Sequence, residues 1–203
     1  HEVGYVSNLM ARFWKAPYFG AVLDNALHDP GFVSSFEANY GNTAGAREPH
    51  EWGYFWRDRL GLEEGSFYCP EGREIDGKRL AAKLAAVESV RNLPLIFDNV
   101  YAMANLGILK KALPETLAVH LTRDPYFVCN SLINARVQRY GDAKAFYAHR
   151  PRNIQELLRI SDPVEQVVLQ VKSIMDEISE TLALFGPGEF FSLDYSELIA
   201  APM

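Results

Sequence analysis

The pattern of apolar and polar positions becomes regular in the second half of the chain. From Arg79 to Arg91, leucine and valine recur every three or four residues among good helix formers, which predicts an amphipathic helix. Further helices are predicted over 101–112, where Pro114 stops the helix, and over about 162–185, where a Gly-Pro-Gly turn ends it. Asp124-Pro125 opens another, because aspartate is a good N-cap and proline is favoured at the first helical position.

Three short apolar runs alternate with these helices, at Pro94–Phe97, Leu117–Leu121 and Phe190–Leu193. Each has the length and composition of a buried parallel strand. The order of elements predicts an α/β fold, with a mostly parallel sheet flanked by helices. Three strands make a thin sheet, so we expect that its first, N-terminal strand is missing from this sequence.

The N-terminal part of the chain is less periodic. Ser7 is a predicted N-cap for a helix that reaches Trp14 and that Pro17 should end or bend. Residues 29–77 are rich in glycine, proline and aromatic residues, which predicts loops and short helices. The aromatic side chains of 5–68 would line an acceptor pocket or form an aromatic core. With no repeat and no linker, we treat 1–203 as a single domain.

Composition excludes several classes of protein. The 203 residues are 48% hydrophobic and 23% charged, which is typical of a folded globular domain and excludes a disordered chain, a collagen and a disulfide-rich miniprotein. A net charge of −6 argues against nucleic-acid binding by the whole surface but allows a local pocket for an anion. No apolar run is long enough to predict a membrane span. Cys69 and Cys129 lack metal-ligand spacing and suit a reducing, cytoplasmic location, although they barely exclude a single disulfide.

The residues with the clearest chemistry follow the second predicted strand. Ligands of α/β sheets bind beyond the carboxyl ends of the strands, where Thr122, Arg123 and Asp124 stand. A helix start offers backbone N–H groups and the positive end of a dipole, so Arg123 beside it predicts a phosphate site. Ser131, two turns into the helix, would add a hydroxyl donor. The alternative is structural, with Arg123 paired to a surface carboxylate, Asp124 a simple cap and Ser131 in a helix contact.

The stretch Leu121–Leu132 resembles the 3′-phosphate-binding motif of sulfotransferases that use 3′-phosphoadenosine 5′-phosphosulfate (PAPS). In that family a strand is followed by arginine and Asp-Pro, and a serine stands eight positions after the arginine, which is the spacing of Arg123 and Ser131. Other segments resemble the bacterial members of the family in the same order. They are Gly4–Leu9, Pro163–Gln166, and Phe191–Leu198 with Pro202.

This resemblance implies a P-loop-like fold and a reaction. The sulfuryl group of PAPS would pass to a hydroxyl or amine of a small-molecule, sugar or lipid acceptor, leaving 3′,5′-adenosine bisphosphate (PAP). Arg123 and Ser131 would hold the 3′-phosphate, and Tyr195 would lie near the adenine or simply pack at a strand end. The histidines show no metal-ligand spacing, and the reaction needs no metal.

Two features depart from the family. Its 5′-phosphosulfate loop, a Pro-x-Ser-Gly-Thr-Thr-like turn after a strand, is absent, so we expect a sequence truncated before the match and inactive as it stands. The Lys-x-His that supplies the base in the cytosolic branch is replaced by Asp98-Asn99-Val100.

Other branches take the base from the preceding segment, here Glu48–Trp56, where Glu51 or His50 could accept a proton. We favour Glu51, because an acidic residue recurs there in related branches. The structural alternative is a solvated loop charge at Glu48 and an ordinary satisfied imidazole at His50.

Two other functions remain open at this stage. A non-catalytic nucleotide-binding or interaction module of the same fold is favoured by the absent loop and by Asp98-Asn99. A P-loop kinase fragment shares the fold, but the sequence lacks a Walker-type lysine and an evident pair of magnesium-binding aspartates.

Overall fold

A computed structural model describes residues 3–27, 29, 31–35, 37–39 and 42–200. The protein is mixed α/β, with 50% helix and a small parallel sheet of two strands. The chain groups into two compact units that divide between Pro114 and Glu115. His50 and Glu51 belong to the first unit, and Arg123, Ser131 and Tyr195 belong to the second.

The first unit consists of short helices around an aromatic and aliphatic core. Its elements are α1 (Asn8–Ala11), α2 (Pro17–Ala26), β1 (Ala38–Asn39), β2 (Asn42–Thr43), α3 (Gly53–Leu60), α4 (Gly77–Arg91), α5 (Val100–Ala104) and α6 (Leu106–Ala112). The strands β1 and β2 form a two-residue antiparallel pair. Core side chains that are almost fully buried include Met10, Trp52, Phe55, Leu60 and Val87.

Several helix boundaries follow from the capping residues. Ser7 is the N-cap of α1, its side chain accepting a hydrogen bond from the Met10 amide, as the sequence predicts. The helix predicted over 79–91 is confirmed as α4. Pro17 does not end a helix but begins α2 at its first position, where the missing N–H has no cost.

The helix predicted over 101–112 is broken at Asn105 into α5 and α6. The Asn105 side chain explains the break, because it bonds outside the helix. Its Nδ2 donates to the carbonyls of Phe67 and Tyr101 at 2.7 and 2.8 Å, and its Oδ1 accepts from the Cys69 amide at 2.8 Å. Asparagine that bonds backbone groups in this way competes with regular helix.

The prediction of a strand at Pro94–Phe97 is wrong. The segment forms one isolated parallel bridge, between Gly4 and Leu95, in which Gly4 N donates to Pro94 O and Ile96 N donates to Gly4 O. Proline has no amide hydrogen, and the Leu95 amide donates instead to the Glu88 carboxylate at 3.0 Å. With these donors absent or used elsewhere, the ladder stops after a single bridge.

A buried ion pair ties α2 to α4. The carboxylate of Asp24 accepts from the Ser7 hydroxyl at 2.5 Å and pairs with the Arg91 guanidinium, which also lies over the Tyr5 ring. Burial of the Asp24 carboxylate is compensated because both of its oxygens are bonded.

The second unit contains the parallel strands. Its elements are β3 (Ala118–Thr122), α7 (Pro125–Tyr140), α8 (Ile154–Leu157), α9 (Pro163–Leu182), β4 (Phe190–Asp194) and α10 (Tyr195–Ala200). The two strands pair in parallel over their whole length, from Ala118 opposite Phe190 to Thr122 opposite Asp194. The predicted strands near 117–121 and 190–193 and the helices opened by Asp124 and Asp162 are therefore confirmed.

The prediction of a buried strand at 117–121 is wrong, because no residue of β3 is fully buried, and its partner β4 is also largely exposed. Val119 and Phe191 stand opposite each other and are 60% and 63% exposed, and Leu121 is also exposed. Alternate residues of a strand share a face, so these side chains form one apolar surface. An apolar run shows that a strand tolerates burial on both sides, but it does not show that both sides are covered.

A buried arginine organises the rest of the second unit. Arg136 on α7 is 0% exposed and donates to the side-chain oxygens of Gln166 and Gln170 on α9 at 2.6 and 2.9 Å and to the Ala143 carbonyl at 3.1 Å. Its guanidinium also lies 5.1 Å from the centre of the Phe146 ring. In this way one cation holds α7, α9 and the start of the 141–153 segment together.

The same network fixes residues 141–153, the segment that connects α7 to α8. Gln170 Nε2 donates to the carbonyls of Tyr147 and His149 at 3.0 and 2.8 Å. Between these carbonyls, Ala148 has a φ of 67°, in the left-handed region that alanine rarely adopts. A strained residue bracketed by hydrogen bonds indicates an anchored connector.

No helix in the described ranges is long and apolar enough to cross a membrane. The longest of them, α9, carries charged residues along its length, including Glu165, Lys172 and Asp176.

Substituting Arg136→Leu is expected to lower the free energy of unfolding by at least about 3 kcal/mol, because it leaves several buried oxygens without donors, each costing roughly 1–3 kcal/mol. Urea denaturation followed by circular dichroism measures the change. The matched control is Arg159→Leu, an exposed arginine of the same unit, which should change stability by no more than about 0.5 kcal/mol. Equal effects of the two substitutions would contradict the central role of Arg136.

Candidate functional site

The strand-edge cluster, defined as Thr122, Arg123, Asp194 and Tyr195, forms where β3 and β4 end. Because Thr122 pairs with Asp194, the two residues that follow, Arg123 and Tyr195, leave the sheet at the same edge. The Arg123 guanidinium carbon lies 4.9 Å from the centre of the Tyr195 ring, a cation–π distance. Arg123 is exposed and Tyr195 is half-buried, so the arginine is supported from one side and open to solvent.

Asp194 turns the chain from β4 into α10. Its Oδ1 accepts from the Ser196 hydroxyl and from the Ser196 amide, and the Thr122 hydroxyl lies 3.4 Å from its Oδ2. These bonds, led by the Ser196 hydroxyl, hold the pKa of Asp194 below its usual range. An aspartate that follows a strand and precedes a serine by two positions is a turn signal, and it could have been found in the sequence.

The start of α7 differs from the phosphate-binding geometry that the sequence suggests. Pro125 has no amide hydrogen, and the Tyr126 amide donates to the Asp124 side chain at 2.8 Å. The amides of Phe127 and Val128 both donate to the Asp124 carbonyl, at 3.1 and 3.3 Å. The first turn therefore has its donors satisfied within the chain, and the Arg123 side chain is the donor that remains for an anion.

Ser131 lies on an exposed part of α7. It stands six residues after Pro125, which is about 9 Å along the helix axis at 1.5 Å per residue. In the described contacts, Arg123 meets Tyr195 and not Ser131. Arg123 and Tyr195 are thus brought together, whereas Ser131 belongs to the same unit without contacting them.

The two residues proposed for the base, His50 and Glu51, lie in the turn that leads into α3. We call this turn, His50–Gly53, the Glu51 turn. The Trp52 amide donates to His50 Nδ1 at 2.7 Å, and Trp52 itself is in the left-handed region, with φ of 56°. A neutral imidazole that accepts at Nδ1 carries its proton on Nε2, so neither nitrogen is free to take another. Burial also lowers the pKa of His50.

The two glutamates flanking His50 have opposite environments. Glu48 is buried, and its carboxylate accepts from the Ser34 hydroxyl at 2.5 Å and the Ser35 amide at 2.8 Å. These bonds hold its pKa below the usual range, so Glu48 is a structural carboxylate and not a solvated loop charge. Glu51 as a whole residue is exposed, but its carboxyl group is partly buried. This burial and the negative charge of Asp98 raise the pKa of Glu51. Of the two, only Glu51 has a pKa moved towards neutrality, as a general base requires.

Three residues at or beside this turn have a relation to it that the sequence did not predict. Asp98 acts on Glu51 through its charge. Asn99 is the N-cap of α5, and Gly53 faces it, since a Cβ placed on Gly53 would stand 3.7 Å from Asn99 Nδ2. The sequence places Asp98-Asn99 at the end of a predicted strand and in place of the Lys-x-His pattern, but sequence spacing does not show that residues 46 positions apart, such as Gly53 and Asn99, meet.

The strand-edge cluster and the Glu51 turn therefore offer different chemistry. The strand-edge cluster offers a solvent-facing guanidinium backed by an aromatic ring, which suits an anion such as a phosphate. The Glu51 turn offers a carboxylate with a raised pKa, which suits proton transfer. In the part of the chain that the structure describes, no group of three or more histidine, cysteine or acidic residues is placed to hold a metal ion.

No protein-family model, curated protein or solved structure matches this chain.

Asp98→Asn is expected to lower the pKa of Glu51 towards the ordinary glutamate value without reaching it, because the substitution removes the like charge and leaves the burial unchanged. Carbon-13 NMR titration of the Glu51 carboxyl measures this shift. Glu48 is the internal control, since its pKa depends on Ser34 and Ser35 and should not move. An unchanged pKa at Glu51 would show that Asp98 does not act on it.

The same raised pKa has a consequence for stability. The folded state holds the Glu51 proton more tightly than the unfolded state, so stability falls as the pH rises from the ordinary glutamate pKa through the raised one.

Proposed function

We propose that the second unit binds the 3′-phosphoadenosine nucleotide PAPS and that the chain is part of a PAPS-dependent sulfotransferase with a P-loop-like fold. The observation that carries the proposal is the cation–π contact of the Arg123 guanidinium with Tyr195 at the carboxyl edge of two parallel strands. Ligands of α/β folds bind at this edge.

The geometry of Arg123 supports a phosphate ligand. The Tyr195 ring lies against the guanidinium, whose N–H donors can bind two phosphate oxygens at once. The first amides of α7 already donate to Asp124. Phosphate binding therefore depends on the Arg123 side chain more than the sequence suggested. Ser131 remains a proposed second donor and Tyr195 a proposed neighbour of the adenine, on the strength of the sequence resemblance.

The order of the sequence motifs supports sulfuryl transfer as the reaction. In this proposal the acceptor oxygen forms a bond to the sulfur of PAPS, and the bond from sulfur to the 5′-phosphate oxygen breaks. The electron pair of the broken bond stays on PAP, and the proton of the acceptor hydroxyl passes to a general base, the role that the sequence resemblance gives to Glu51. His50 is the weaker candidate for the base, because its Nδ1 already accepts a hydrogen bond from Trp52.

The proposed acceptor class and cellular location follow from the net charge and from the two cysteines. The acceptor is proposed to be a small molecule, a sugar or a lipid, since a net charge of −6 disfavours a polyanionic partner such as nucleic acid. A cytoplasmic location is proposed because Cys69 and Cys129 are both free thiols.

Titrating the chain with PAP and with adenosine 5′-monophosphate tests the nucleotide site, because only PAP carries the 3′-phosphate. We expect tighter binding of PAP, measured by calorimetry, and a loss of about tenfold to a hundredfold in PAP affinity for Arg123→Ala, the effect of removing a charged hydrogen-bond donor. Arg159→Ala, an equal change of charge on the exposed surface of the same unit, should leave PAP affinity nearly unchanged.

Each alternative function has its own outcome in this experiment. Equal PAP affinity in the wild type and Arg123→Ala contradicts the proposed site. With ATP titrated as a further ligand, preference for ATP over PAP would favour the kinase interpretation. Binding of PAP by a full-length protein that still lacks the 5′-phosphosulfate loop would favour the non-catalytic nucleotide-binding module.

A further inference from the structure

The outward side of α2 is apolar. Tyr18 and Phe19 are each 55% exposed and Val22 is 39% exposed, and they share this side of the helix with Asn25 and Ala26. Residues three and four apart are neighbours on a helix, so Val22 adjoins both aromatic side chains. A surface helix normally carries its charged residues on the side that faces water. In α2, which the structure describes throughout, no charged residue lies there.

The charges around α2 are divided by sign between the inside and the outside. Residues 8–27 contain three charged side chains. The one carboxylate, Asp24, is 5% exposed and forms an ion pair in the interior. The two cations, Arg12 and Lys15, are exposed and precede the helix. The next carboxylate along the chain, Asp29, follows the other end of the helix. This surface is therefore locally positive, although the net charge of the chain is −6.

Aromatic rings join the cations to the apolar side of the helix. The Phe13 ring meets the Phe19 ring edge-on, with 5.1 Å between their centres. The Lys15 ammonium lies 5.0 Å from the centre of the half-buried Trp14 ring. Side chains with an apolar body and a polar end are typical of a boundary between water and an apolar phase. We call the following set the α2 surface: Arg12, Trp14, Lys15, Tyr18, Phe19 and Val22.

The size of the apolar part limits what can cover it. Tyr18, Phe19 and Val22 together expose roughly 300 Å², at about 200 Å² for a fully exposed aromatic side chain. Contiguous apolar patches of this size on a monomer often mark an interaction site. Each partner of a stable protein complex contributes about 800 Å², so this patch is too small to hold a second protein by itself. A membrane surface adds electrostatic attraction to apolar burial, and the two cations supply the matching charge.

We propose that the α2 surface binds an anionic lipid bilayer. Tyr18, Phe19 and Val22 enter the boundary between the headgroups and the acyl chains, and Arg12 and Lys15 contact the anionic headgroups. The helix lies in the plane of the membrane surface and does not cross it. Aromatic side chains with polar ends are enriched at this depth, and basic side chains beside the membrane are attracted to its negative surface. The proposal does not depend on nucleotide binding by the second unit.

Cosedimentation with lipid vesicles tests the proposal. Vesicles of phosphatidylcholine alone are compared with vesicles made of equal parts of phosphatidylcholine and phosphatidylserine, at low and at high salt. We expect the chain to bind the mixed vesicles much more tightly. Added salt should weaken this binding, because it screens the attraction between the two cations and the lipid.

Tryptophan fluorescence gives a second measurement of the same binding. Trp52 and Trp56 are only 1% and 3% exposed, whereas Trp14 is half-buried and lies in the α2 surface. A shift of the tryptophan emission to shorter wavelength on addition of mixed vesicles therefore reports on Trp14. We expect this shift, and we expect quenching of the emission when the vesicles contain brominated acyl chains.

Phe19→Ser tests the apolar contact. It should lower the affinity for mixed vesicles about fivefold to tenfold, since the variant loses a phenyl ring that the membrane buries. The matched control is Phe127→Ser on α7, which should keep the affinity, because Phe127 is 52% exposed and also meets a neighbouring ring edge-on. If Phe19→Ser lowers the melting temperature, Tyr18→Ser on the same side of the helix takes its place.

A double substitution, Arg12→Gln with Lys15→Gln, tests the charge. It should lower the affinity for mixed vesicles about tenfold to thirtyfold and leave the binding to phosphatidylcholine alone unchanged. Lys78→Gln with Arg79→Gln removes the same two charges from exposed positions on α4 of the same unit. This matched control should bind both kinds of vesicle as the wild type does.

Three results would overturn the proposal. The first is a wild-type chain that does not bind the mixed vesicles. The second is an equal effect of Phe19→Ser, or of Tyr18→Ser in its place, and of Phe127→Ser on vesicle affinity. The third comes from analytical ultracentrifugation without lipid, where a dimer that the wild type forms and Phe19→Ser does not would assign the α2 surface to a second copy of the chain.

Discussion

The parallel pairing of β3 with β4 is the interaction on which the candidate nucleotide site depends. It joins two segments about 70 residues apart in sequence, and its register places Thr122 opposite Asp194. Arg123 and Tyr195 come into contact because each is the residue that follows its strand. A register shift of one residue would move the residues of one strand to the other face of the sheet and separate the cation from the ring.

Capping groups decide what each helix start can bind. At α7, Asp124 uses both its side chain and its carbonyl to satisfy the first amides, which stabilises the helix and removes those amides as ligands for an anion. At α5, Asn99 likewise accepts with its side-chain Oδ1 and its backbone carbonyl, but its Nδ2 has no partner among the described residues. Aspartate and asparagine are nearly the same size, so the difference in available chemistry comes from a single amide group.

The two units show different ways of stabilising buried polar groups. In the first, Asp24 and Arg91 form an ion pair that Ser7 supports. In the second, Arg136 has no carboxylate partner among its described contacts and is bonded by two glutamine side chains and a carbonyl. The neutral acceptors demand accurate placement of α7 against α9, and this explains why the connector after α7 is also fixed by Gln170.

Most of the local elements can be predicted from residues close together in the chain. Ser7, Asp124 and Asp162 mark helix starts because a side chain three or fewer residues away satisfies the first amides, and this requires only neighbours in sequence. Tertiary structure decided the rest: the failure of Pro94–Phe97 to form a strand, the exposed face around Val119, and the meeting of Gly53 with Asn99. Each of these depends on which distant segment supplies or withholds a partner. A hydrophobic pattern shows which side chains can be buried, but the partner that buries or bonds them is set only when the chain folds.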